Sequence, residues 1–407
     1  MRNIIFKSHK AIDFCDDVRD GTHDSPKHLD SGKILITSKN IKGDTIDFEN
    51  ISYISEEDFN KINERSLVEK NDILYSMIGT IGLVYRFDCN PDYAIKNMGL
   101  FKISNELKSK WLYYFLKTPK TMNMVYSKLN GSTQKFISLS NLRNLEIEYP
   151  EDENDAKRIV KLLESIDYRI KINSEINNNL YEFNNKLFEE KILNNAEKDD
   201  WEEYLLSDIS KMINGYSYKG NELVEKSNIG MATIKNFERT GGFKLDGFKD
   251  IVPQKCKSDH YVKPFEILVA CTDLTQNADI IGNAIMLLNN ANYDEIIMSM
   301  DLVKLIPITD IVNNYMLYAI VNSKDFKNFA LRYKSGTTVL HLNKNCFKEY
   351  TIKLPNYNTI KDLSKVFEGN YKKISQIVDE NRKLEQLRDI LLPKLMNGEI
   401  DLDNIEI

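Results

Sequence analysis

Residues 131–150, GSTQKFISLSNLRNLEIEYP, lie on residues 336–355, GTTVLHLNKNCFKEYTIKLP, without a gap. Identity is confined to Gly131/Gly336, Thr133/Thr338, Ile147/Ile352 and Pro150/Pro355; Ser132/Thr337, Ile137/Leu342 and Arg143/Lys348 match in character. A long, polar, helix-forming run follows each copy. The chain therefore reads globule, long helix, globule, long helix. A repeat of that size is too large for a solenoid unit and means two whole domains of one type. Such a chain is expected to do one job twice.

At 407 residues there is room for two or three domains with real cores. No run of about 18 apolar residues exists, so no membrane span is expected. The start, MRNIIFKSHK, lacks the apolar stretch and cleavage site of a secretion signal, and the cytoplasm is the economical expectation. Cys15, Cys89, Cys256, Cys271 and Cys346 are odd in number and scattered, with no CxxC pair, so neither a disulfide framework nor structural zinc is expected. A net charge of −6 counts against wholesale wrapping by a polyanion. It leaves open a groove where Lys and Arg are segregated from the acids.

Short β-like runs alternate with turn signals in 1–150: Lys33–Thr37, Asp72–Ser76 and Leu83–Arg86, with a closing strand Leu145–Tyr149 stopped by Pro150. Residues 199–356 repeat that order. Thr37–Ile41 pairs with Thr233–Phe237, Asp72–Ser76 with Glu266–Ala270, and the helical Trp111–Leu116 with Tyr315–Ile320. Alternating strands and helices predict a mixed α/β fold. The first globule opens at Phe6 where the second opens at Trp201, which leaves the completeness of the first edge strand open.

Residues 151–198 and 357–407 are the helical spacers. The first carries Ile159, Leu163, Ile166, Ile170, Asn173, Ile176, Leu180, Phe183 and Leu187 at gaps suited to a coiled-coil seam. The second carries Leu363, Phe367, Asn370, Ile374, Ile377, Asn381, Leu384, Leu387, Leu391 and Leu395. Asn173 and Asn381 interrupt the two seams at equivalent places, as register-setting residues do. Each stripe is too narrow to hold a lone helix, so the two are expected to pair antiparallel with a pseudo-two-fold relation between the globules, as a spacer or ruler.

Catalytic patterns are weak. Asn90-Pro-Asp-Tyr93 imitates an amino-methyltransferase motif but lacks its second Pro and any glycine-rich cofactor stretch; a turn between strands is the expectation. Pro91-Asp92 with Glu106-Leu-Lys108 imitates a Mg²⁺-dependent nuclease trio, but the second globule has none. No phosphate loop occurs, and His9, His23, His28, His260 and His341 form no ligand-spaced set.

The loops offer hydrogen-bonding side chains at repeat-equivalent places. Thr22 and His23 follow Asp20-Gly21, and Tyr216 and Lys219 follow Asn214-Gly215. Lys39-Asn40 pairs with Lys235-Asn236, and the Ser132–Lys135 stretch, with Gln134 and Lys135, pairs with Thr337-Thr338; Thr80 lies in the GTIG stretch. Lys reaches phosphate or guanine, Asn and Gln fit adenine, and Ser or Thr bonds either edge.

DGTHDSP at 20–26, ITSKNIKGDTIDF at 36–48, YISEEDFNKINERS at 53–66, NDILYSMIGTIG at 71–82 and NRKLEQLRDILLPKLMNGEI at 381–400 together resemble the DNA-specificity subunit of type I restriction-modification enzymes. That resemblance spans essentially the whole chain. It implies two target-recognition domains, each reading half of a split double-stranded DNA site. Two methyltransferase subunits would dock on the helices, restriction-translocase subunits would join, and S-adenosylmethionine, ATP and Mg²⁺ would belong to those partners, with no cofactor or catalytic residue in this chain. The alternative is a protein-interaction adaptor on a coiled-coil scaffold.

Overall fold

A computed structural model describes residues 4–43, 45–48, 51–131, 135–195, 201–239, 241–275 and 277–402. The chain divides into two compact units, residues 1–169 with 384–407, and residues 170–383. Both divisions fall inside long helices, α1 (Glu153–Lys191) and α2 (Tyr357–Met396). Each unit thus holds one globule and a stretch of each helix.

In the first unit, strands Asp17–Asp20, Met98–Lys102, Ile73–Ser76 and Val84–Arg86 lie side by side in that order, all antiparallel. Every residue of Ile73–Ser76 is buried, because both faces of this sheet are covered. Alternate side chains leave a strand on opposite faces. Ile73 and Tyr75 accordingly join Trp111 and Phe115 in a helical core, while Leu74 joins Ile36, Ile95 and Leu100 in a second core. A second sheet beyond that core sets Lys33–Ile36 between Ser52–Ile54, antiparallel, and Tyr93–Ile95, parallel.

The second unit repeats the plan. Ser210–Asn214, Leu302–Pro307, Ile267–Ala270 and Ala284–Met286 form the first sheet in the same order. Ile229–Ala232 lies between Lys249–Asp250, antiparallel, and Glu295–Met298, parallel; Tyr261–Val262 extends this sheet. Ile267 and Val269 face one core, Leu268 and Ala270 the other.

The repeated segment supplies the closing strand of each unit. Glu146–Pro150 pairs with Phe6–Lys10, placing Lys7 opposite Tyr149; Thr351–Leu354 pairs with Glu202–Leu205, placing Glu202 opposite Leu354. Phe6 and Trp201 therefore occupy equivalent places, and the first edge strand is complete. One detail shifts. The helix ends at Lys117 and Asn322, and the next helices are capped by Thr118 and Ser323. These caps align Trp111 with Met316, one residue beyond Tyr315.

Along α1 the seam runs through Ile159, Leu163, Ile166, Ile170, Asn173, Asn177, Leu180, Asn184 and Leu187, each buried or half-buried and spaced by four and three in alternation. Along α2 it runs through Ile360, Leu363, Phe367, Asn370, Ile374, Ile377, Asn381, Leu384, Arg388, Leu391 and Leu395, likewise buried or half-buried. Ile176, Phe183 and Leu387, which an apolar reading places on the seam, are exposed. Asn177, Asn184 and Arg388 hold those steps instead. Heptad geometry, not hydrophobicity, fixes which residue faces inward.

Polar pairing makes that possible. In the second unit Asn173 Nδ2 donates to Asn381 Oδ1 at 2.8 Å, and Asn370 Nδ2 donates to Asn184 Oδ1 at 2.7 Å. In the first, Arg388 Nη1 meets Asp167 Oδ1 at 3.0 Å. In the second unit residue numbers rise along one helix as they fall along the other, 173 with 381 and 184 with 370, so the helices pair antiparallel there.

Candidate nucleic-acid interface

The glycine that opens each repeated segment has a left-handed backbone, φ 90° at Gly131 and 103° at Gly336. At Gly336 the chain reverses between Lys334–Ser335 and Leu340–Leu342, leaving Thr337 and Thr338 exposed at the tip. Asn130 and Phe136 bridge across the corresponding turn of the first unit, where Lys135 is exposed; Gln134 lies outside the described residues.

Each tip packs beside the hairpin loop that leaves the central strand. In the first unit Ile78 bridges Phe136, and Ile137 N donates to Met77 O at 3.0 Å. Ser38 Oγ donates to Ile78 O at 3.5 Å. These contacts gather exposed Lys39, Thr80 and Lys135 around one end of the unit. In the second unit Thr272 pairs with His341 in the same way.

Lys39 and Lys235 are exposed, but their neighbours are not. Asn40 is 4% exposed and Asn236 0%. The Asn40 carboxamide accepts from Thr37 N at 3.0 Å and donates to Asp47 O at 3.3 Å; Asn236 accepts from Thr233 N at 2.9 Å and donates to Lys244 O at 2.9 Å. Both amides close a capping box around a single 3₁₀ turn. Expecting Asn40 and Asn236 at base edges is thus corrected. A buried amide with its donor and acceptor used inside the turn is committed to the fold.

Tyr216 is corrected likewise. It is 4% exposed, and its hydroxyl donates to buried Glu222 at 2.6 Å while accepting from Lys255 N. Burial, then the Glu222 carboxylate, pushes its pKa above the ordinary value. Lys219, three residues on, is exposed.

Thr22 occupies the place of Tyr216: it bridges Lys96 as Tyr216 bridges Ser299. His23 is exposed but held at both ring nitrogens, Nδ1 by Asn97 Oδ1 and Nε2 by Asp20 Oδ2, each at 2.9 Å. Both partners present oxygen, so the imidazolium, donating from both nitrogens, satisfies both. The Asn97 and Asp20 hydrogen bonds raise its pKa, with Arg65 on the other Asp20 oxygen opposing. Sequence reasoning singled out His23 but not Asn97 or Arg65, which no spacing rule connects to it.

The nuclease-like trio is not assembled. Asp92 pairs with Lys33 at 2.8 Å, Glu106 with Lys110 at 2.8 Å, and Lys108 lies over the Phe14 ring. Asn90 Oδ1 accepts from Lys70 N at 2.8 Å, as a turn residue does. Among the described residues no group of three or more His, Cys, Asp or Glu is placed to hold a metal ion. No described helix is long and apolar enough to cross a membrane.

Two copies of one two-sheet module, each ending on paired long helices and presenting polar loop tips, define a duplicated recognition protein. The chain belongs to the family described as type I restriction modification DNA specificity domain, which matches residues 25–182 and 198–386. It is similar to the type I restriction enzyme EcoBI specificity subunit of Escherichia coli, 26% identical over 175 residues, 42% of this chain and 34% of the relative. The match thus spans about a third of that relative's length. Among solved structures, the S subunit of a type I restriction-modification system from M. genitalium superposes with TM-score 0.55 at 18% identity, over 97% of each chain. That likeness is one of fold.

Proposed function

We propose that this chain is the DNA-sequence specificity subunit of a type I restriction-modification assembly, itself non-catalytic. Residues 1–150 read one half of a bipartite duplex site and residues 199–356 the other. The helical segments 151–198 and 357–407 set the gap and dock two methyltransferase subunits; restriction-translocase subunits complete the assembly in the cytoplasm. S-adenosylmethionine, ATP and Mg²⁺ are bound by those partners.

The observation that carries this reading is the family match to both halves of the chain, on two modules whose first sheets have the same strand order. Half-buried Thr22 with exposed His23, Lys39, Thr80 and Lys135 in the first module, and exposed Lys219, Lys235, Thr337 and Thr338 in the second, supply phosphate and base-edge chemistry. Gln134 belongs to the same proposed surface.

The test is co-expression with the cognate methyltransferase subunit, followed by long-read mapping of modified bases. A split motif is expected. Replacing residues 1–150 with another recognition domain should then change one half and spare the other. No methylation, or a change in both halves, would overturn the assignment.

A further inference from the structure

Leu274 is 68% exposed, the most exposed large apolar side chain among the described residues. It stands in a loop that the first unit lacks. Gly82 N bonds back to Ser76 O and Gly282 N to Ala270 O, so residues 271–281 fill the place of residues 77–81. A longer, structured loop in only one of two equivalent modules is where the modules would differ in what they read.

Apart from Gln276, which lies outside the described residues, the loop is built rather than slack. Asp273, 1% exposed, accepts from Thr275 N and Thr275 Oγ1, both at 2.8 Å, and from Ile280 N and Ile281 N at 2.6 and 3.2 Å. Ala278 is buried in a left-handed backbone, and Thr272 and Asp273 pair with His341 and Leu340. The side chains on either side are thus occupied by the fold while Leu274 is held out into solvent. Exposed His341, Thr337 and Thr338 belong to the hairpin beside it.

We propose that Leu274 is a specificity-determining residue of the second recognition domain, an apolar finger that packs on the 5-methyl group of a thymine in the major groove. This deepens the DNA-reading assignment and rests on it. The thymine methyl is the one apolar feature on a base edge, and a rigidly presented aliphatic side chain is its complement. Pre-ordering by Asp273 means the finger need not be immobilised on binding.

Full chain, assembled with its methyltransferase, is bound to its mapped site. Each thymine of the half-site read by residues 199–356 is replaced in turn by deoxyuracil, which removes only the methyl. One position should weaken binding by on the order of tenfold, Leu274→Ala should weaken it equally, and the two together should cost no more than either alone. The other half-site should be unaffected, and the variant's melting temperature unchanged. Three results would overturn the inference: Leu274→Ala binding like the parent, a loss that no deoxyuracil reproduces, or a half-site without thymine. If the parent assembly itself showed no sequence preference, the DNA-reading assignment would fail first, and this inference with it.

Discussion

Gly215 approaches the Ser299 carbonyl so closely that a Cβ on it would lie 1.9 Å from that oxygen. Gly21 meets the Ile95 carbonyl the same way, at 2.4 Å. At both sites the chain leaves the end of the first sheet and crosses beside a strand of the second, directly before Thr22 or Tyr216. Only a residue without a side chain permits the crossing. We expect Gly215→Ala to destabilise the chain by about 1–3 kcal/mol, because backbone on both sides must move. Urea denaturation measures this; an unchanged midpoint would show that the crossing has slack.

The asparagine layer of the second unit should behave as a coupled pair. Asn173 is 2% exposed, and its amide donates to Asn381. Asn381→Leu leaves that donor buried without its acceptor, at a cost of roughly 1–3 kcal/mol. Asn173→Leu with Asn381→Leu should recover much of the loss, since an apolar pair replaces a polar one whole. Strictly additive losses in a double-mutant cycle would show that the amides act independently.

His23 should couple stability to pH. Its pKa is raised above the ordinary 6.5 by Asn97 and by Asp20, with Arg65 opposing. The folded state therefore holds the proton more tightly than the unfolded chain. The stabilisation is fully present below about pH 6.5 and is lost as pH rises through the folded value. The stability gap between the parent chain and His23→Gln should thus be widest below about pH 6.5 and narrow as pH rises through the folded value. A gap independent of pH would mean the ring is held neutral.

Much of this was legible in the sequence, and the exceptions share a cause. The gap-free match of Gly131–Pro150 to Gly336–Pro355 revealed the duplication, and the register of the strand pairs it closes sets Phe6 against Trp201. Repeated residues, however, record whatever the shared scaffold needs. Lys39-Asn40 and Lys235-Asn236 repeat as pairs, but the asparagines close a turn. The seam misled in the opposite direction: Ile176, Phe183 and Leu387 look like core residues, yet helical phase turns Asn177, Asn184 and Arg388 inward. Leu274 could not be read at all, because exposure of one apolar residue depends on where Asp273 fixes its loop.

The pair Lys235-Asn236 allows structural and binding roles to be separated one residue apart. Asn236→Ala removes an amide that bonds Thr233 N and Lys244 O, and loss of such a cap costs about 0.5–2 kcal/mol. Binding by that variant should weaken only as far as the turn unfolds. Lys235 is exposed, so Lys235→Ala should leave the denaturation midpoint unchanged. If its ammonium meets a phosphate, one fewer counterion is released on binding. The slope of log affinity against log salt should then fall in magnitude by about 0.9, with equal losses on specific and non-specific DNA. A slope unchanged by Lys235→Ala would remove this lysine from the interface, whatever the variant's affinity.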